Sequence, residues 1–271
     1  MAKDQSHAAA GRNRASGSAP DASGDIDRHL RMLLRWPAKG RRQGREEIPR
    51  RHAAGCASST PAQVADVIVN MPYVQEEDGA NEEMPAYHNP AEIDAVLKTI
   101  AGLTPLQNEK GEWPSLAVLS PYNEQVTRLD LALENARGEL PHLARFEKPK
   151  KRGGYEGTVD SFQGGEADVV IVSLVRNNGH SGMGALGFVR RRRRMNVLLS
   201  RAKWKLIIVT SLKFLRVHAR SYSGDKRLAD EDREFLPLLV SVLDRLKGEK
   251  LEDGTPKVSI VEWAELREAS R

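Results

Sequence analysis

Four short, mainly apolar runs without polar alternation constrain this chain more than any other feature. VADVIVNMP begins at Val64 and is ended by Pro72, LAVLS occupies 116–120, DVVIVSLV occupies 168–175, and KLIIVTS occupies 205–211. A strand with one face in water alternates apolar and polar residues, whereas a strand covered on both faces does not. The segments between these runs carry helical spacing. In NPAEIDAVLKTIAGL, Asn89 is placed to cap, Pro90 sits at the first helical position, and Glu92 lies in the first turn. Ile93, Val96, Leu97 and Ile100 form its apolar stripe. NEQVTRLDLALENA repeats the pattern through Val126, Leu129, Leu133 and Ala136, MNVLLSRA reads as a shorter helix, and REFLPLLVSVLDRLKG as an amphipathic one. Buried strands separated by helices predict an α/β fold, a mostly parallel sheet with helices on both faces.

The texture changes near residue 60. Residues 1–60 are rich in Ala, Arg, Gly and Ser, with helical spacing only in DIDRHLRMLLRW, and read as a disordered tail. Residues 61–218 read as the globular lobe and residues 219–271 as a C-terminal helical extension. A net charge of +5 favours a polyanionic partner. The single cysteine, Cys56, excludes an intrachain disulfide and a Cys-rich zinc site, and no metal ligands are predicted. No apolar run approaches the ~20 residues that span a bilayer, and the N-terminus has no apolar signal region. The expected setting is intracellular, nuclear or cytoplasmic, without a membrane partner.

Three segments carry chemistry. In SPYNEQV, Ser120, Pro121 and Tyr122 leave the carboxyl end of a strand, where open α/β sheets place ligands. Ser120 and Tyr122 are suited to contact a nucleic-acid backbone or stack a base, and Pro121 shapes the exit. In GTVDSFQGGEADVV, the Thr158 and Ser161 hydroxyls suit phosphate without reading sequence. Gln163 offers both a donor and an acceptor, and Gly164 and Gly165 permit positive φ or close backbone approach. In GFVRRRRRMNVLLSRAKWK, Arg194 and Arg201 are seven residues apart, which on a continuous helix places them on one face two turns apart. Arg190, Arg191 and Arg192 read as a solvated charge run, and Asp160 as a turn residue.

In this order and at this spacing, the three segments resemble motifs IV, V and VI of superfamily 1 helicases, in the group that contains senataxin and the nonsense-mediated-decay helicase. The resemblance runs from about Val64 to about Leu215. It implies a RecA-like lobe, the second of two. ATP with magnesium sits between such lobes, and single-stranded RNA or DNA runs across both. By resemblance Arg201 is the arginine finger, Arg194 a second arginine of motif VI, Gln163 a sensor at the lobe boundary, and Glu166 an acceptor for the nucleotide ribose beside Gly164 and Gly165. A guanidinium suits this role because it stays charged and its fork bonds two phosphate oxygens. The main departure from the family lies in YHNPAE, residues 87–92, where Pro90 stands near the position that often holds an extra nucleotide-binding arginine, and Lys203 is a second, at a position where the family often has arginine.

The sequence holds no G-x-x-x-x-G-K-[ST] and no apolar strand ending in an Asp-Glu pair. The resemblance therefore implies a fragment of an ATP-dependent helicase that needs a first RecA-like lobe, in cis or in trans, before it hydrolyses ATP. The alternative is a non-catalytic module that binds nucleic acid or a partner.

Overall fold

In the computed structural model, the described residues are 56–58, 66–84, 86–108, 110–149, 154–222, 230–250, 254 and 256–268. The helix expected over 25–36 and most of the 1–60 tail lie outside them.

Six strands form one sheet: β2 (Asp66–Asn70), β4 (Leu116–Ser120), β5 (Glu156–Thr158), β6 (Ala167–Ser173), β7 (Ala202–Thr210) and β8 (Val258–Glu262). Their order across the sheet is β5-β4-β6-β7-β2-β8, and every pairing is parallel. Two further short strands, β1 (Cys56–Ser58) and β3 (Leu103–Pro105), pair with each other in antiparallel fashion. The four apolar runs are the four central strands. β4 is buried at all five positions, and β6 has six buried positions of seven.

Helices cover both faces because consecutive strand residues point to opposite sides. On one face Ala117, Leu119, Val170, Val172, Leu206 and Ile208 pack against α4 (Arg192–Leu199), α5 (Leu212–Tyr222) and α6 (Asp230–Gly248). On the other, Leu116, Val118, Val169, Ile171, Ile207 and Val209 meet α1 (Pro90–Ala101), α2 (Asn123–Asn135) and α7 (Trp263–Glu268). α3 (Met183–Leu186) and the 3-10 turn Gly187–Arg190 lie in the connection between β6 and α4. This is a RecA-like α/β lobe.

Two boundaries differ from the sequence reading. Residues 219–271 are not only a helical extension: α6 packs on the main core, and β8 extends the sheet beside β2. The second difference is the end of motif VI. α4 stops at Leu199 with Ser200 as its C-cap, so Arg201 lies beyond the helix. The Arg201 carbonyl accepts from the Ala167 N–H at 3.1 Å, which commits Arg201 to the start of the β6–β7 ladder. Sheet pairing overrides helical periodicity at that point.

Candidate functional site

Chain direction sorts the candidate residues into two groups. The sheet is parallel, so all carboxyl ends of its strands lie along one edge and all amino ends along the opposite edge. Ser120 closes β4, with Pro121 and Tyr122 following it, and Thr158 closes β5, both at the carboxyl edge. Glu166 precedes β6 and Arg201 precedes β7, both at the amino edge. Two segments run between the edges: the turn 159–166 and helix α4.

At the amino edge, Arg201 joins motif V to motif VI. Its Nε donates to the Val197 carbonyl at 2.7 Å, Nη1 to the Gly165 carbonyl at 3.0 Å, and Nη2 to Ser200 Oγ at 3.2 Å. A guanidinium has five N–H groups. Three are used, which holds the guanidinium in place, and one remains on each terminal nitrogen. Gly165 also donates its own N–H to the Phe162 carbonyl, and Phe162 is buried, so the turn is pinned to the core. Gly164 has φ +76, a conformation L side chains rarely adopt. Gln163 and Glu166 are exposed beside it. Between Ala167 and Val169 the β6–β7 register shifts, with β7 advancing from Ala202 to Lys205, so β7 carries one extra residue. Bulges of this kind re-aim side chains near sites. Lys203 lies in the bulge with its Nζ 3.9 Å from Asp168. Asp168 is held in turn by the Ser115 N–H at 2.8 Å and the Ser115 hydroxyl at 2.7 Å.

At the carboxyl edge, the Thr158 and Ser161 hydroxyls bond each other at 2.7 Å, and Ser161 donates onward to the Thr158 carbonyl. Ser120 is fully buried and accepts from the Tyr122 N–H at 3.4 Å, so its role is to shape the turn. Tyr122 reaches across to the segment before motif VI, where its hydroxyl accepts from the Phe188 N–H at 3.2 Å. Burial pushes that phenol above its ordinary range. Its ring lies 5.3 Å from that of Tyr87.

Arg194 is not beside Arg201. It stands in the first turn of α4, near Asp160 at 4.0 Å and over the Phe188 ring at 5.7 Å. Seven residues at ~1.5 Å each set the two arginines ~10 Å apart along the chain axis. Arg194 thus joins the carboxyl edge and Arg201 the amino edge.

A buried polar cluster went unread in the sequence. Arg176 is 2% exposed; its Nε meets Glu82 at 3.2 Å, and it donates to the carbonyls of Ala185 and Gly184. Asn177 and Asn178 bond the same Glu82 carboxylate. Asn89 caps α1 through the Glu92 N–H and also donates to the carbonyls of Ala80 and Val175. Val175 has φ +69, an outlier for a β-branched residue, and is held by Asn89 at its carbonyl and by Glu92 at its N–H. The available signal was Arg-Asn-Asn directly after a fully apolar strand.

Comparison with known proteins decides the family. A model described as "AAA domain" matches residues 40–213. The chain belongs to this family, within the superfamily 1 helicase group. This superfamily 1 lobe is 31% identical over 141 residues to the helicase MOV-10 of Gallus gallus, covering 49% of this chain and 14% of that protein. It is 33% identical over 135 residues to the DNA polymerase alpha-associated DNA helicase A of Saccharomyces cerevisiae, covering 50% and 17%. With the ATP-dependent helicase upf1 of Schizosaccharomyces pombe it shares 34% over 107 residues, covering 40% and 10%. The matched part of the lobe thus spans about a sixth of these relatives or less. Among the described residues, no group of three His, Cys, Asp or Glu is placed to hold a metal ion, and no helix is long and apolar enough to cross a membrane.

Proposed function

We propose that this chain is the second motor lobe of an ATP-dependent RNA or DNA helicase, with its amino edge facing ATP and its carboxyl edge gripping a single strand. The observation that carries the reading is the state of Arg201. Three of its N–H groups are spent on local acceptors, which fixes the guanidinium, and two remain to engage a phosphate. Such a group meets charge building on a transferring phosphoryl without reorganising first. Bound ATP supplies the scissile phosphoanhydride. Arg201 stabilises charge, Glu166 accepts from the ribose, and Gln163 reports the occupied state to the boundary. Gly164 and Gly165 let the backbone come close. In this reading the magnesium ligands and the phosphate loop would come from a first RecA-like lobe, in cis or in trans.

On the carboxyl edge, Pro121, Tyr122, Thr158 and Ser161 form the strand track, with Ser120 supporting the turn beneath. Contacts there go to phosphate and sugar and give no sequence preference.

The test is Arg201→Lys in a two-lobed helicase that carries this lobe, with Arg137→Lys as control. Lysine keeps the charge and loses the fork. We expect kcat to fall by about 10³ or more, the scale of arginine-finger loss, with nucleotide Kd unchanged. A raised Kd at intact kcat would make Arg201 a ground-state binding residue. No effect on either would favour the non-catalytic module.

A further inference from the structure

The nine residues from Gly179 to Gly187, which lead from β6 toward motif VI, include four glycines. Gly182 and Gly187 bracket α3 at φ +77 and φ +49, so the chain turns sharply on both sides of that short helix. A helix of four residues cannot satisfy its own carbonyls, and glycine-rich backbone loses more freedom on ordering than any other. A group outside the segment has to hold it. Arg176 does so: its Nη2 donates to the Gly184 carbonyl at 2.6 Å and its Nε to the Ala185 carbonyl at 2.9 Å. Asn178 adds a second bond to the Ala185 carbonyl at 3.0 Å. Glu82 fixes the arginine from behind. Its Oε2 lies 3.2 Å from Arg176 Nε and accepts from the Asn177 N–H and the Asn178 amide, both at 2.9 Å. The Tyr87 ring covers the guanidinium at 4.2 Å.

We infer that Arg176 is a positioning residue for motif VI: its guanidinium, set by Glu82, latches α3, and the latched α3 fixes where the first turn of α4 lies. From α3 to α4 the bonds are continuous. The Phe188 N–H donates to the Tyr122 hydroxyl at 3.2 Å, the Arg191 N–H to the Phe188 carbonyl at 2.9 Å, and the Met195 N–H to the Arg191 carbonyl at 2.9 Å. The start of α4 does not stabilise itself. Its N-cap residue, Arg191, makes no side-chain cap bond, and Arg192, Arg193 and Arg194 place positive charge at the positive end of the helix dipole. Its position therefore depends on the segment that precedes it.

A buried ion pair adds little net stability, because desolvation cancels most of the attraction. What the Glu82–Arg176 pair does supply is a fixed direction for two donors. Gly187 keeps the packing close: a Cβ there would lie 2.4 Å from the Tyr122 hydroxyl and 3.5 Å from Arg176 Cδ. The far end of motif VI is held separately, since Arg201 bonds the Gly165 carbonyl and receives the Ala167 N–H. The latch thus governs the Arg194 end of α4 and leaves the Arg201 end in place. The latch itself is read from geometry alone; its consequence for activity rests on the proposed function, which puts Arg194 on the strand side.

Two variants test the latch in the full chain by hydrogen exchange and mass spectrometry. Arg176→Lys keeps the charge but cannot serve both carbonyls. The double variant Arg176→Met with Glu82→Gln removes both charges, so no buried charge is left unpaired, and the glutamine oxygen still accepts from Asn177 and Asn178. Arg137→Gln, at a side chain 62% exposed, is the control. We expect the amides of residues 185–191 to exchange about tenfold faster or more in both variants, the scale of one charged hydrogen bond. Strands β4, β6 and β7 should exchange as in the wild type, and the control should change nothing. If residues 185–191 are unaffected, or speed up only in step with the strands, Arg176 is general core support and the inference is overturned. The second measurement is strand-stimulated ATP hydrolysis by a two-lobed helicase that carries this lobe. The single-strand concentration at half-maximal rate should rise about 2- to 30-fold, with a smaller change in kcat at saturating strand. A fall in kcat with the half-saturating concentration unmoved would overturn the assignment to the Arg194 end. If strand does not stimulate the wild type, the proposed function falls, and the exchange result still decides the latch.

Discussion

Glu92 makes this fold sensitive to pH in a way that can be worked from its surroundings. The side chain is 0% exposed in the first turn of α1. Its Oε2 accepts from Ser173 Oγ at 2.6 Å and from the Val175 N–H at 2.9 Å, while Oε1 is buried with no partner. The one cation of the cluster, Arg176, is taken by Glu82. Burial therefore pushes the Glu92 carboxyl up to about 8, with the Glu82 charge adding to the effect and the two accepted hydrogen bonds opposing it. Between the ordinary carboxylate range and pH 8 the folded chain keeps a proton that the unfolded chain releases. Stability contributed by this group is present at low pH and falls as pH rises, by at most about 1.4 kcal/mol per unit, levelling above the folded value. Over that interval the ceiling is about 4–5 kcal/mol, a large part of the ~5–15 kcal/mol that holds a domain. Glu92→Gln keeps the acceptor for Ser173 and Val175 and cannot ionise. Urea unfolding followed by circular dichroism at about pH 5.5, 6.5 and 7.5 should show the variant gaining on the wild type by about 1 kcal/mol per unit. Asp66, which burial raises to about 7, is present in both proteins and cancels. Parallel stability curves across that range would mean Glu92 is ionised in the fold, and the reasoning from burial would fail.

Gly187→Ala should destabilise by about 2 kcal/mol or more, from strain at φ +49 and from contact with the Tyr122 hydroxyl, read as a lowered Tm. Asn89→Ala removes the α1 cap and two further buried bonds, to Ala80 and Val175, and should cost about 2–4 kcal/mol in urea unfolding. The chain by itself should release no phosphate from ATP and magnesium above background in a coupled assay, because its sequence contains no phosphate loop; release abolished by Arg201→Ala would overturn that expectation.

The fold was legible wherever burial left a pattern. Uninterrupted apolar runs marked β2, β4, β6 and β7, and Asn89-Pro90 marked the start of α1, because caps and two-sided burial act through neighbours in sequence. β8 was not legible: VSIVE is short, and its partner β2 lies about 190 residues earlier in the chain. The end of α4 was misread for a related reason. MNVLLSRA keeps helical spacing through Arg201, but the pairing of Arg201 with Ala167 draws the chain into β7. For the site, residue types at motif spacing pointed to arginines, glycines and hydroxyls. They gave no sign that Asn89, Glu92 and Asn177 bind segments far away in sequence, since a polar residue destined for burial looks like any other polar residue.

Motif VI joins the two edges through a single rigid body. α4 has eight residues, and Met195, Leu198 and Leu199 bury it in the core beneath β6 and β7. Interiors packed to crystal-like density do not let such a helix bend or slide freely. Arg194 at its start and Arg201 just past its end therefore keep a fixed offset. The turn 159–166 makes the same span and is anchored by Phe162, with Thr158 and Ser161 at one end and the Gly165 carbonyl on Arg201 at the other. Two independent connections of this kind tie the position of Arg201 at the amino edge to that of Arg194, Thr158 and Ser161 at the carboxyl edge, so in the proposed motor the two edges are coupled through packed structure.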